Sequence, residues 1–223
     1  LQKTCMMQTT NSISWPTLTL LFIAVGLIVT TQIVDFSERE AAQSAFVPVR
    51  INLQKVAHSH MKELVDEELR FIDSMGTAWI APKGTLTDGA TVPRLALWLG
   101  EERFTPYLLK AAVIHDAYCS GENANRARDQ YRRRPWREVH RMFHEALVAD
   151  GTPALEAKVL FAAIWISGPR WDDTAHDLSQ IPEEVLLAEF THCKRWIEES
   201  NPGVAMIEEW LNQREATLLY EAK

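Results

Sequence analysis

Cysteine is scarce: Cys5, Cys119 and Cys193 are the only three among 223 residues. They form no CxxC pair and no even framework, which argues against a zinc ribbon or a disulfide scaffold. A single Cys119–Cys193 bridge stays open should the domain lie outside the cytoplasm. Positive charge is also in short supply. The net charge is −7, so the surface as a whole is unsuited to polyanions, and no specific nucleic-acid binding is expected. No HExxH helix, GxSxG elbow, Walker loop or GxGxxG fingerprint is present, which removes the commonest signatures of metalloproteases, α/β-hydrolases and nucleotide-binding enzymes. There is no internal repeat and no low-complexity tract. A hydrophobic content of 47% with 24% charged residues fits one folded domain with appendages rather than a disordered chain.

One absence is local. No charged residue occurs between Lys3 and Asp35. Within that window Leu18 to Val34 (LTLLFIAVGLIVTTQIV) is about one bilayer core long at ~1.5 Å per residue. Trp15-Pro16 sits at its entry, where an amphipathic ring and a helix-starting proline both belong. Residues 1–35 are therefore expected to form an N-terminal membrane anchor, meeting the bilayer through 17–34. A cleaved signal peptide is the main rival. The apolar run exceeds the usual ~7–15 residues of such peptides, and no small-x-small site closes it before the acidic stretch Asp35–Glu40. Lys3 and the N-terminus are positive while Asp35, Glu38, Arg39 and Glu40 are net negative. The positive-inside rule then predicts a single-pass protein whose body is periplasmic or otherwise extracytoplasmic.

Beyond the anchor, residues 36–69 read as a linker or stalk followed by an amphipathic helix. Leu53, Val56, Met61, Leu64, Val65 and Leu69 fall roughly at helical spacing from Asn52 onward. From Phe71 to Pro93 the character changes: Gly76, Pro82, Gly84 and Gly89 punctuate the β-like runs Thr77–Ala81 and Thr85–Thr87, which predicts a small hairpin. Helices are expected over Tyr107–Cys119, Trp136–Asp150, Pro153–Ser167, Pro182–Ser200 and Gly203–Ala222. The expected fold is α+β and mainly helical: a short β-hairpin packed on antiparallel helices, behind one transmembrane helix. The core domain spans 70–168, and the acidic helices of 169–223 brace it.

His115-Asp116 lies inside an otherwise apolar helix, among Ala111, Ala112, Val113, Ile114 and Ala117. A charged carboxylate there is costly unless it is paired. His140 and His144 stand one turn apart on the Trp136 helix and share a face. Two facing helices could thus present His115, Asp116, His140 and His144 to one site, with Asp88 arriving from the loop TDGATVPR (Thr87–Arg94). Imidazole with carboxylate suits a divalent metal such as zinc, held by His115, Asp116 and His140. It also suits general-base chemistry with His115, Asp116 and Asp88 as the catalytic groups. The bland reading of each feature is that an Asp beside a His caps a neighbouring loop and that an i, i+4 His pair lies on a solvated face. Cys119 is one turn from His115, where an apolar-helix cysteine more often packs than reacts. The arginine run from Arg126 to Arg141 could meet an anionic partner such as a lipid headgroup or phosphate; a solvated loop balancing an acidic protein is the commoner explanation.

TDGATVPR, then AAVIHDAYC (Ala111–Cys119), then Arg137-x-x-His140-x-x-Phe143 resembles the phage- and prophage-associated domain of unknown function 1353. That family shows a β-like segment ending in a Thr-Asp-Gly/Phe-Ala-Ser/Thr-Val-Pro loop, a helix bearing His-Asp near a Tyr, and a later helix with Arg and an acidic residue before a Phe. The counterparts are Thr87, Asp88, Ala90, Val92, Pro93 and Arg94, then His115, Asp116 and Tyr118, then Arg137 and Phe143. The resemblance covers about residues 70–168. It implies that Asp88, His115 and Asp116 belong together, and it implies no settled activity. His140 stands where the family carries an acidic residue, so no carboxylate role transfers there. His followed by Asp in a helix is also similar to secreted phospholipases A2, but their flanking cysteine pair and glycine-rich calcium loop are missing.

Three functions are consistent with these features. The first is a metal-dependent hydrolase acting on peptidoglycan or lipid at the cell envelope. The second is a non-catalytic, prophage-encoded envelope protein whose His-Asp cluster is a buried polar network. The third is an adaptor that binds an anionic partner through Arg126–Arg141. Accessibility separates the first two, because a catalytic cluster must line an open pocket.

Overall fold

Residues 44–88 and 108–221 are described in a computed structural model. The apolar run at 17–34 lies outside them, and so does TDGATVPR beyond Asp88. Among the described residues no helix is long and apolar enough to cross a membrane.

Six short strands come first: β1 (Ala45–Val47), β2 (Leu53–Lys55), β3 (Lys62–Leu64), β4 (Glu68–Ile72), β5 (Ala78–Pro82) and β6 (Leu86–Thr87). They form two antiparallel three-stranded sheets, ordered β1-β4-β5 and β2-β3-β6. Alternation along β4 and β5 buries Leu69, Phe71, Trp79 and Ala81 and turns Arg70 outward, as a half-buried sheet requires. Phe71 pairs with Phe46 on one side and Trp79 on the other.

Two expectations are corrected here. Residues 52–69 are strands and turns, not an amphipathic helix. In the β2–β3 ladder Leu53 stands opposite Leu64, and those positions are also about three helical turns apart, so the same apolar residues satisfied both periods. The reversal between the strands passes through His58 at φ 59, a conformation that no helix contains. The stretch read as a stalk likewise contains β1, which pairs with β4. The second correction concerns the hairpin. Both β-like runs are strands, but β5 pairs with β4 and β6 with β3. Gly84, at φ 85, turns the chain from one sheet to the other: its N–H donates to Leu64 O (2.9 Å), and Leu64 N–H donates to Thr85 O (2.9 Å).

Five helices follow among the described residues: α1 (Leu109–Cys119), α2 (Trp136–Ala149), α3 (Ala154–Ser167), α4 (Glu183–Ser200) and α5 (Val204–Glu221). Their positions agree with the expected helical segments. Pro135, Pro153 and Pro182 occupy the N-caps of α2, α3 and α4, and Asn201 closes α4 in the left-handed region. Helix α1 is buried from Ala111 to Cys119, and α3 from Val159 to Ile166. A helix apolar on all sides belongs in the middle of a fold. Accordingly α1 packs on β4, β5 and β6 as well as on α2, while α3 packs on α2, α4 and α5.

The C-terminal helices brace the centre through ion pairs. Arg141 of α2 pairs with Glu208 of α5, and Arg137 donates to Asn212 Oδ1 (2.6 Å). Arg170 meets Glu215 at 2.7 Å with both side chains almost wholly buried. Its guanidinium also donates to the carbonyls of Trp165 and His176, each at 2.7 Å.

The β4–β5 turn depends on one carboxylate. Asp73 accepts from the Met75 and Thr77 N–H groups (3.0 and 2.7 Å) and from Trp79 Nε1 (2.8 Å). Replacing Asp73 with Ala would leave a buried indole N–H and two amides unpaired, at a cost of about 3 kcal/mol. Urea unfolding should show that loss. The exposed Asp66→Ala, which breaks the Asn52 contacts, should move the midpoint far less. Equal midpoints for the two variants would rule out the clamp.

Candidate functional site

The polar centre of the molecule is the last turn and a half of α1. His115 is fully buried, and Asp116 and Cys119 nearly so. Cys119 Sγ lies 3.2 Å from His115 Nδ1 and 3.7 Å from Nε2, and Asp116 Oδ1 lies 4.0 Å from the same Nδ1. One donor atom from each of the three falls within 4.8 Å of the others. An α-helix brings residues i and i+4 to one face and i+1 to its flank, so the pattern His-Asp-x-x-Cys gathers the three side chains without any help from a loop.

Helix α2 supplies the facing wall. The His140 ring lies 5.3 Å from that of His115, centroid to centroid, and Phe143 lies 4.9 Å from it. Trp136 stands edge-on to His140 at 5.2 Å. His140 is fully buried, and neither of its ring nitrogens has a hydrogen-bond partner among the described residues. The C-terminus of α3 packs onto the same ring. A Cβ built on Gly168 would meet the Ile164 carbonyl and lie 2.7 Å from His140 Cε1 and 2.9 Å from Nε2. Only glycine fits there.

Burial governs the protonation states. Desolvation lowers His115 to about 3, so it is a neutral imidazole at ordinary pH, the form that accepts a hydrogen bond or ligates a metal. Desolvation lowers His140 well below its usual value, with the neighbouring His115 and Arg170 adding to the effect. Burial drives the Cys119 thiol well above its usual value, reinforced by the negative charges of Asp116 and Asp88. That coupling places Asp88, at the exit of β6, within electrostatic reach of the cluster.

Asn123 connects the strand to the helix. It is fully buried in the short 3-10 turn Gly121–Asn123 after α1. Its Oδ1 accepts from Leu86 N (2.8 Å), and its Nδ2 donates to Leu86 O (2.8 Å) and to Asp116 O (2.9 Å). The side-chain amide thus mimics a strand neighbour for β6 and holds the Asp88 segment beside α1.

Of the residues singled out from sequence, His115, Asp116 and His140 come together, and Asp88 stands close by. His144 does not join them: its ring lies edge-on to Phe161 at 5.8 Å. Cys119 and Cys193 are both free and buried, so the disulfide left open above does not form. Sequence reasoning gave Cys119 a packing role although its spacing from His115 was visible. Nothing local marked Asn123 or Gly168, whose contacts reach Leu86 and His140, 37 and 28 positions away in the chain.

Residues 64–164 match the family DUF1353, described as a protein of unknown function. The resemblance read from the motifs therefore holds over β3 to α3, the part of the fold that contains the site. The uncharacterized protein y4iH of Sinorhizobium fredii is 31% identical over 155 residues, 68% of this chain and 60% of that protein. The uncharacterized protein y4jT of the same organism is 31% identical over 107 residues, 48% of this chain and 29% of that one. The chain spans less than two thirds of the length of either relative. No solved structure gives a significant match.

Two predictions follow from the packing around these rings. Gly168→Ala should destabilise the fold by about 1–3 kcal/mol, the usual cost of overpacking; a thermal melt equal to wild type would show that the α3 terminus can move off His140. The second concerns His144, which burial, helped by the Lys158 charge, lowers from 6.5 to about 4. Between those pH values the unfolded chain binds the His144 proton and the folded chain does not. Stability from this residue is therefore complete above about pH 6.5 and drains away as pH falls toward 4. Denaturant midpoints across that window should fall less steeply in His144→Phe than in wild type.

Proposed function

We propose that this chain is a metal-dependent hydrolase of the cell envelope, held to the membrane by residues 17–34 with its body on the extracytoplasmic side. The observation that carries the reading is the convergence of His115 and Asp116 in the core, faced by a second imidazole, His140, with no hydrogen-bond partner for either ring nitrogen. Buried polar groups without partners are rare in stable folds. A divalent cation would give these neutral imidazoles and carboxylates a purpose, and several ionisable groups converging on apolar helices are a recognised mark of working sites. In this reading His115 and Asp116 are ligands, Asp88 adds negative charge at the rim, and His140 is a further ligand or a base. When bound, the cation would lower the pKa of a coordinated water and polarise an ester or amide of lipid or peptidoglycan.

One observation favours a second reading. His115 and His140 are completely excluded from solvent, whereas a hydrolytic centre must admit substrate and water. A non-catalytic envelope protein would use the same cluster as a polar network fixing α1 against α2.

The test is the metal content of the purified full-length chain beside His115→Ala and His140→Ala. Near-stoichiometric divalent metal that is lost from both variants supports the first reading and directs assays to envelope substrates. Metal-free protein, with both variants folded but less heat-stable, supports the network.

A further inference from the structure

Resting on the metal reading above, we propose that Cys119 is a direct ligand of that centre, so that one turn of α1 supplies an imidazole, a carboxylate and a thiolate to a single zinc-class ion. The distances carry the argument. Bond lengths of about 2.0–2.3 Å put neighbouring donors of a tetrahedral zinc roughly 3.3–3.8 Å apart. The Cys119 sulfur stands 3.2 Å from His115 Nδ1, close to that edge, and one donor atom from each of His115, Asp116 and Cys119 lies within 4.8 Å of the others. The His115–Asp116 separation of 4.0 Å exceeds the nitrogen–oxygen edge by roughly 0.7 Å, within reach of a side-chain rotation. A thiol and an imidazole that merely packed together would not need a carboxylate completing the same triangle.

The electrostatics act in the same direction. Without a cation, a Cys119 thiolate would add a third negative charge beside Asp116 and Asp88, and the sulfur keeps its proton. A dication reverses the balance: the thiol gives its proton to water, the sulfur–metal bond forms, and the two carboxylates then stabilise the centre instead of opposing it. Sulfur also decides which ion binds. Magnesium and calcium take oxygen donors, whereas a thiolate with one imidazole selects zinc or its cobalt analogue. His140 lies against the His115 ring with its Cε1 and Nε2 edge at Gly168; sulfur joins the ligand set, and His140 keeps the role given above, a further ligand or a base.

The experiment is cobalt(II) loading of the full-length chain, read by optical spectroscopy. One equivalent should produce an intense near-ultraviolet sulfur-to-cobalt charge-transfer band. The band should vanish in Cys119→Ser and persist in Cys193→Ser and Cys5→Ser. Zinc affinity of Cys119→Ser should fall by at least the ~10–100-fold that loss of an outer-shell partner costs. On the wild-type protein, which needs no variant to fold, zinc should displace cobalt while excess magnesium or calcium should not. Stoichiometric cobalt without the band, a band that survives Cys119→Ser, or displacement by magnesium would overturn the thiolate and leave the His-Asp metal reading standing. Failure to bind cobalt or zinc at all would overturn both.

Discussion

From Ala111 onward helix α1 has no face left for water, and that constraint organises the rest of the molecule. With two sheets on one side and α2 on the other, every polar group it carries must find a partner inside the protein, because an unpaired buried polar group costs about 1–3 kcal/mol. Asn123 answers part of that demand by taking the Asp116 carbonyl and both backbone groups of Leu86. Tyr118 answers another by accepting the Ile80 N–H through its hydroxyl at 3.2 Å. Both contacts tie α1 to the sheets, so the groups that satisfy the helix are also those that bring Asp88 to its flank.

A second layer of polar contacts surrounds this centre. Arg126 reaches Glu63, Arg134 reaches Glu138, Arg137 reaches Asp173 and Arg141 reaches Glu208. Much of the local positive surplus in the arginine run is thus matched by acids, three of these four drawn from other parts of the chain. The run also presents planar cations to aromatic rings: Arg134 over Trp79 at 4.9 Å and Arg137 over Trp136 at 4.6 Å. Arg170, paired with Glu215 of α5, lies over the Trp136 ring at 4.6 Å and so ties α5 to α2. A pair buried this deeply acts chiefly by making its own breakage expensive, since removing one partner strands the other charge.

The chemistry of the cluster follows from where it sits. In water His115 and Cys119 would titrate near neutrality and slightly above it; in this core both are held neutral. Neutral imidazole and protonated thiol make a stable resting pair. They are also a poor nucleophile–base couple, because no thiolate is available to attack. The same two side chains become strong ligands once a dication compensates the charge. A hydrolytic centre and a structural one would therefore share this geometry, and access to the site would distinguish them.

Much of the helical half was legible in the chain. Proline N-caps, Gly151 at φ 100 just past the end of α2 and the 3.6-residue pattern of α2 are local signals, and the motif order around His115-Asp116 was enough to indicate the family whose model matches residues 64–164. The β half was misread between Asn52 and Leu69 because Leu53 and Leu64 satisfy a helical period as well as a strand pairing, and only the sheet decides between them. Sequence alone determined that a carboxylate and an imidazole would enter an apolar helix together, since their neighbours leave no polar face. The tertiary structure decided what they meet there: Cys119 one turn along instead of a disulfide, the His140 ring across the helix interface, the Asn123 clamp and the absent side chain of Gly168. Those partners converge through long-range packing, which depends on how whole elements fill space and leaves no mark on nearest neighbours in the chain.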